Sequence, residues 1–180
     1  ITRWSAHKRA RAGLARTFQQ GHVFSGLTVR ENVEVSALGV RAGPQEARRR
    51  ADDLLGVLGL ADRAESPATI LPHGDERKLG VARALAMKPR FLLMDEPAAG
   101  LHEGEVEEFA GVVRSVRDER DVGVLLIDHN LGLILGVCDR LHVLDQGRTL
   151  AEGTPGEIRA NLDVSTAYFG RQEREERPAG

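Results

Sequence analysis

Two short apolar runs that end in ionisable residues constrain this chain more than anything else in it. Phe91-Leu92-Leu93-Met94 leads straight into Asp95 and Glu96 and stops at Pro97. The run 122–127 leads into Asp128 and His129. Between the two lies a stretch whose apolar positions Val106, Phe109, Ala110, Val113 and Val116 fall on one helical stripe. A strand, an amphipathic helix and a second strand of this size form a βαβ unit, whose crossover joins parallel strands. The two strands are therefore expected to be parallel neighbours or near neighbours, and the fold class is α/β. In an open parallel sheet, ligands sit beyond the carboxyl ends of the strands. Asp95, Glu96 and His129 all fall there. For an isolated Asp-Glu pair the plainer account is that the acids cap the next loop, and that the histidine starts a helix.

The rest of the chain supplies helices around that unit. Thr28 and Glu31 have capping-box spacing, which predicts a helix start. Pro44 stands at the first position of a second helix, with Ala47, Ala51, Leu54, Leu55 and Leu58 on one face and Arg48, Arg49 and Arg50 on a solvated one. A helix is expected over 75–87, with acids in its first turn, and a short one over 131–137. A third strand, 141–144, turns at Asp145-Gln146-Gly147 into a fourth, 148–153. Thr154 and Glu157 repeat the capping-box spacing. The charged and balanced residues 171–180 are expected to be disordered.

At this point the chain resembles the nucleotide-binding domain of ABC transporters. "FLLMDEP" looks like that family's Walker B strand with its catalytic glutamate, and "LLIDH" like the strand carrying its switch histidine. "ARTFQ" looks like its Q-loop, with Gln19 as the glutamine; "AAGLH" sits where its D-loop sits. "LPHGDERKLGVARALAMKP" takes the place of the signature motif and its helix. The ending "CDRLHVLDQGRTLAEGTPGEIRANLDVSTAYFG" is similar to the ATPases of branched-chain amino acid uptake. The resemblance implies a P-loop NTPase core of the ABC type over 1–170, in part, with a helical subdomain spanning about 27–87. It implies ATP and Mg²⁺ as ligands. Asp95 would support the magnesium, with Gln19 reaching the metal or its water; Glu96 would polarise the attacking water. His129 would contact the γ-phosphate and hold Glu96 in place.

Two departures qualify the resemblance. No GxxxxGK[ST] phosphate loop occurs: the lysines Lys8, Lys78 and Lys88 follow His7, Arg77 and Met87. An N-terminally truncated sequence, with that loop before Ile1, is the expectation; a naturally defective subunit is the rival. The signature position reads Leu71-Pro72-His73-Gly74-Asp75 in place of LSGGQ. In the family this loop grips ATP bound to the opposite subunit, with hydroxyl, backbone N–H groups and helix dipole. Pro72 offers neither hydroxyl nor N–H, and Asp75 adds negative charge. Gly74 keeps the close backbone approach, and His73 offers a compensating donor. Alternatively the loop simply caps its helix, with Asp75 and Glu76 at the positive end.

Composition narrows the partners. A net charge of -2 gives no electrostatic case for nucleic acid. The single cysteine, Cys138, excludes an internal disulfide and reads as a packed thiol in a reducing compartment. No segment is apolar enough over its length to cross a membrane, and no signal peptide is visible. The resemblance implies a peripheral protein at the cytoplasmic face of the membrane, with permease subunits, a second ATPase subunit and, indirectly, a substrate-binding protein as partners. An ABC ATPase for another cargo, such as urea or exported lipid, and a non-hydrolysing regulatory subunit are the alternatives.

Overall fold

The computed structural model describes residues 1–17 and 23–167. Gln19 and the tail 171–180 lie outside the described residues. The chain divides into two compact units, Ile1–Leu133 and Ile134–Gly180.

The first unit is built on a parallel sheet. Helix α1 (Ala6–Arg11) precedes β1 (Leu14–Arg16); helices α2 (Val29–Gly39) and α3 (Pro44–Val57) follow. Two 3-10 turns, Ala61–Arg63 and Ala68–Ile70, lead to α4 (His73–Ala86) and β2 (Phe91–Asp95). Then come α5 (Glu103–Arg120), β3 (Gly123–Ile127) and α6 (Leu131–Val137), which crosses into the second unit. The strand order is β1-β2-β3, all parallel. The expected βαβ unit is therefore present, with β2 and β3 as immediate neighbours. Strand β1 is an addition. Its three residues are too few to show alternation, yet the backbone fixes them: Gly13 O accepts from Arg90 N at 2.8 Å and Thr17 N donates to Leu93 O at 2.9 Å.

The two faces of this sheet differ. Ala15, Leu92 and Met94 are buried, together with Phe109, Ala110, Val113 and Val116 of α5 and most of the second half of α4. On the opposite side of the pleat Phe91, Leu125 and Ile127 are 55%, 58% and 59% exposed. β3 is one of the two outer strands, so among the described residues an apolar face and an unpaired strand edge coincide there.

Helices α2, α3 and α4 pack on one another. The box at the start of α2 forms as expected: Glu31 N donates to Thr28 Oγ1 at 3.2 Å and Thr28 N to Glu31 Oε2 at 2.7 Å. These bonds stabilise the ionised acid, so the Glu31 carboxyl is held below its usual range. Pro44 opens α3, whose expected apolar face is buried throughout. Arg50 departs from the solvated face assigned to it. Its Nη1 donates to Ala86 O at 3.0 Å and its Nε to Glu46 at 2.8 Å, fastening α3 to the carbonyl end of α4. The Glu46 carboxyl, bonded first by Arg50 and then by Lys88, is lowered to about 2.

The second unit is a hairpin with a helix. β4 (Leu141–Asp145) and β5 (Arg148–Gly153) are antiparallel, with an irregularity between Val143 and Leu144. Gln146 and Gly147 have φ of 48° and 76°, the pair of positive values that a type I′ hairpin turn demands. Helix α7 (Pro155–Ala160) starts at a second formed capping box, Thr154 with Glu157. Leu141, Val143, Ile158 and Val164 make the core of this unit, and Cys138 packs against it, half-buried.

Candidate functional site

The site is assembled where β2 and β3 end. Asp95 is the last residue of β2 and stands opposite Ile127, the last of β3. Glu96 N donates to Ile127 O at 2.7 Å, extending the ladder one step past the strand. Glu96 then turns the chain with φ of 45°. A glutamate in the left-handed region carries a backbone penalty on the order of 1 kcal/mol, and such strain collects at functional positions.

Asp128 holds the loops after the two strands together. Its side chain is fully buried. Oδ2 accepts from Ala98 N at 3.0 Å and Oδ1 from Asn130 N at 2.9 Å. One carboxylate thus anchors the loop following Glu96 and orients the residue following His129. Asn130 in turn accepts from Leu133 N at 2.9 Å, starting α6. His129 itself points outward, 73% exposed, with Nδ1 3.8 Å from Asp128 Oδ1. The structure therefore brings Asp95, Glu96 and His129 to one end of the sheet. Spacing in the sequence does not single out Asp128; its place directly before His129, at the end of an apolar run, is the signal for it.

Asp95 makes an ion pair with Arg16, Nη2 to Oδ2 at 2.8 Å. Among the described residues no cluster of three or more His, Cys, Asp or Glu could hold a metal unaided. A single, part-exposed carboxylate at a strand end suits Mg²⁺, which takes most of its ligands from phosphate and water. The donor set fits that ion when the phosphates of a nucleotide accompany it.

The signature position lies at the start of α4. Pro72 is the N-cap and gives no side-chain hydrogen bond; its carbonyl accepts from Glu76 N at 2.9 Å. The helix begins at His73, two residues before the sequence-based start. His73 Nε2 lies 3.2 Å from Ala99 O, and Arg77 Nη2 donates to the same oxygen at 3.2 Å. Both side chains thereby tie α4 to the loop that leaves Glu96. Gly74 allows α4 to approach α5: a Cβ there would stand 2.9 Å from Glu105 Oε1. Asp75 is not an isolated charge. Arg63 Nε is 3.1 Å and Lys78 Nζ 3.5 Å from its carboxylate, and Lys78, 8% exposed, also bonds Glu108 at 2.6 Å. The negative charge expected of Asp75 is thus largely compensated inside the chain. Gln19 lies in 18–22, outside the described residues. The chain on either side is held, by Thr17 N on Leu93 O and by Phe24 N on Asn32 Oδ1 at 2.8 Å.

The family model for ABC transporters matches residues 1–99. The chain is 38% identical over 176 residues to the high-affinity branched-chain amino acid transport ATP-binding protein LivG of Salmonella typhimurium, covering 89% of this chain and 69% of that one. The chain belongs to the ABC transporter family. It is also 37% identical over 172 residues to the lipopolysaccharide export system ATP-binding protein LptB of Acidithiobacillus ferridurans, covering 96% of this chain and 71% of that one. Among solved structures, CbiO1 of Clostridium perfringens, part of an ABC transporter complex, superposes with a TM-score of 0.77 at 25% identity, over 91% of this chain and 67% of that one. The fold class expected from the sequence is borne out: this ABC transporter chain has the α/β, parallel-sheet core of the family's ATPase domains, in part. Among its described residues no helix is long and apolar enough to cross a membrane.

Proposed function

We propose that this chain is the ATP-hydrolysing subunit of an ABC importer for branched-chain amino acids. The observation that carries the reading is the convergence of Asp95, Glu96 and His129 at one strand end, braced by buried Asp128. ATP hydrolysis needs a metal against the phosphates and a water aimed at the γ-phosphorus. Asp95 would hold Mg²⁺, with Gln19 reaching the metal or its water, and the ion would supply charge neutralisation for the phosphates. Glu96 accepts a proton from the attacking water and aligns it. His129 contacts the γ-phosphate and keeps Glu96 oriented. Pro72, His73, Gly74 and Asp75 face the nucleotide of a second ATPase subunit, with the charge of Asp75 offset by Arg63 and Lys78. We read 1–170 as the ATPase domain and 27–87 as its helical subdomain. The chain works at the cytoplasmic face of the membrane with permease subunits and, through them, a substrate-binding protein.

The identity to LivG favours amino acid uptake, while the nearly equal identity to LptB favours lipid export as the second reading. The two are separated by reconstituting the full-length protein, with the phosphate loop expected before Ile1, and its permease in vesicles. ATP turnover stimulated by leucine and its binding protein supports uptake. Stimulation by lipopolysaccharide alone would overturn it.

A further inference from the structure

Arg16 reaches Asp95 diagonally across the sheet. β1 pairs with β2 so that Arg16 stands opposite Leu93, and Asp95, two residues on, presents its side chain on the same face. Among the described residues Arg16 is the one cation within ion-pair distance of that carboxylate, at 2.8 Å. Neither group is buried: the side chains are 57% and 32% exposed. Cutting the pair would strand no buried polar atom, so packing gives no reason for an arginine here. Its position relative to Asp95 does.

We propose that Arg16 is a positioning residue for Asp95. Its guanidinium orients and neutralises the carboxylate while no divalent cation is near, and yields it when Mg²⁺ arrives with phosphate. The inference rests on the reading of Asp95 as the magnesium carboxylate. The exchange is favoured by charge and distance. Mg²⁺ carries twice the charge and approaches an oxygen to about 2.1 Å, whereas the guanidinium stays at 2.8 Å. Couplings between exposed ion pairs are small, equivalent to about a two- to fivefold change in an equilibrium. Arg16 is therefore a light restraint that a divalent cation can displace. Because Thr17, the next residue, is bonded to β2 through Leu93 O, loss of the pair leaves β1 in place and changes only where the Arg16 side chain goes.

The test uses the 180-residue chain, labelled with ¹⁵N, and the Mn²⁺–pyrophosphate complex as the probe, because the strand end offers one carboxylate and phosphate oxygens supply the further ligands. Broadening of the Asp95 and Glu96 amide signals reports cation occupancy at the strand end. Arg16→Gln should lower the Mn²⁺ midpoint about two- to fivefold, and Arg16→Lys should restore the wild-type value. Arg11→Gln removes an equal charge from α1 without touching Asp95, and should leave the midpoint unchanged. Adding Asp95→Asn to Arg16→Gln should abolish the broadening. In the wild type, Mg²⁺ should shift the Arg16 Nε–Hε signal as the pair opens. Equal midpoints for wild type and Arg16→Gln would overturn the role of Arg16 while leaving Asp95 as a cation ligand. A matching gain in Arg11→Gln would overturn it as well, by showing bulk charge at work. No broadening at Asp95 in any variant would overturn both the metal reading and the proposal.

Discussion

Replacing Asp128 by alanine should loosen the strand-end loops more than any change at the proposed catalytic positions. The buried carboxylate accepts two backbone N–H groups, from Ala98 at 3.0 Å and Asn130 at 2.9 Å. Hydrogen bonds to a charged group contribute about 1.5–3 kcal/mol each. Removing the buried charge returns some desolvation free energy, so a net loss of about 2–4 kcal/mol is expected. Ala98 lies between Glu96 and the oxygen that His73 and Arg77 share, so the loss should spread along that loop. Urea denaturation gives the change in stability, and hydrogen exchange at the Ala98 and Asn130 amides gives its location. The expected outcome is a lower midpoint with an unaltered slope, and rapid exchange at both amides. A stability change under about 0.5 kcal/mol, or exchange as slow as in the wild type, would refute the role assigned to Asp128.

Stability should fall on acidification from about pH 4.5 towards about pH 2. The carboxyls of Glu46, Glu31 and Glu157 are lower folded than unfolded, so their contribution is present above the unfolded value and lost as pH drops through the folded one. Circular dichroism against pH should show Glu46→Gln flattening part of that fall; an unchanged profile would contradict it. Lacking a GxxxxGK[ST] loop, the 180-residue chain should bind Mg-ATP weakly, since that backbone cradle and its lysine supply most phosphate contacts. Micromolar affinity by calorimetry would reveal a phosphate site elsewhere. The bare face of β3 should make the chain self-associate, and Leu125→Thr with Ile127→Thr should reduce light scattering without loss of helix content; scattering that persists would place the sticky surface elsewhere.

The elements with strong periodicity were legible in the sequence. The face of α3, the stripe of α5, both capping boxes and the two strands that carry Asp95 and Ile127 follow from spacing alone. What escaped was set by partners distant in the chain. β1 exists because Gly13 and Thr17 bond to the backbone around β2, which no pattern in three residues can announce. Arg50 sits in an arginine run that looks solvated, but finds the end of α4. Asp75 reads as a lone charge until folding brings Arg63 and Lys78 to it. Asp128 carries no spacing signal of its own: its role follows from the Ala98 and Asn130 N–H groups that folding brings to its carboxylate.

Glu96 is the group proposed to activate water. In the transporter assembled with its permease, Glu96→Gln keeps the shape of the side chain and the Asp95 carboxylate but removes the proton acceptor. General-base catalysis is worth about 10²–10⁴-fold, so ATP turnover should fall by at least about 100-fold while nucleotide binding stays near the wild-type value. Turnover at the wild-type rate in the Glu96→Gln protein would contradict the assignment, and with it the proposed catalytic role of this strand end.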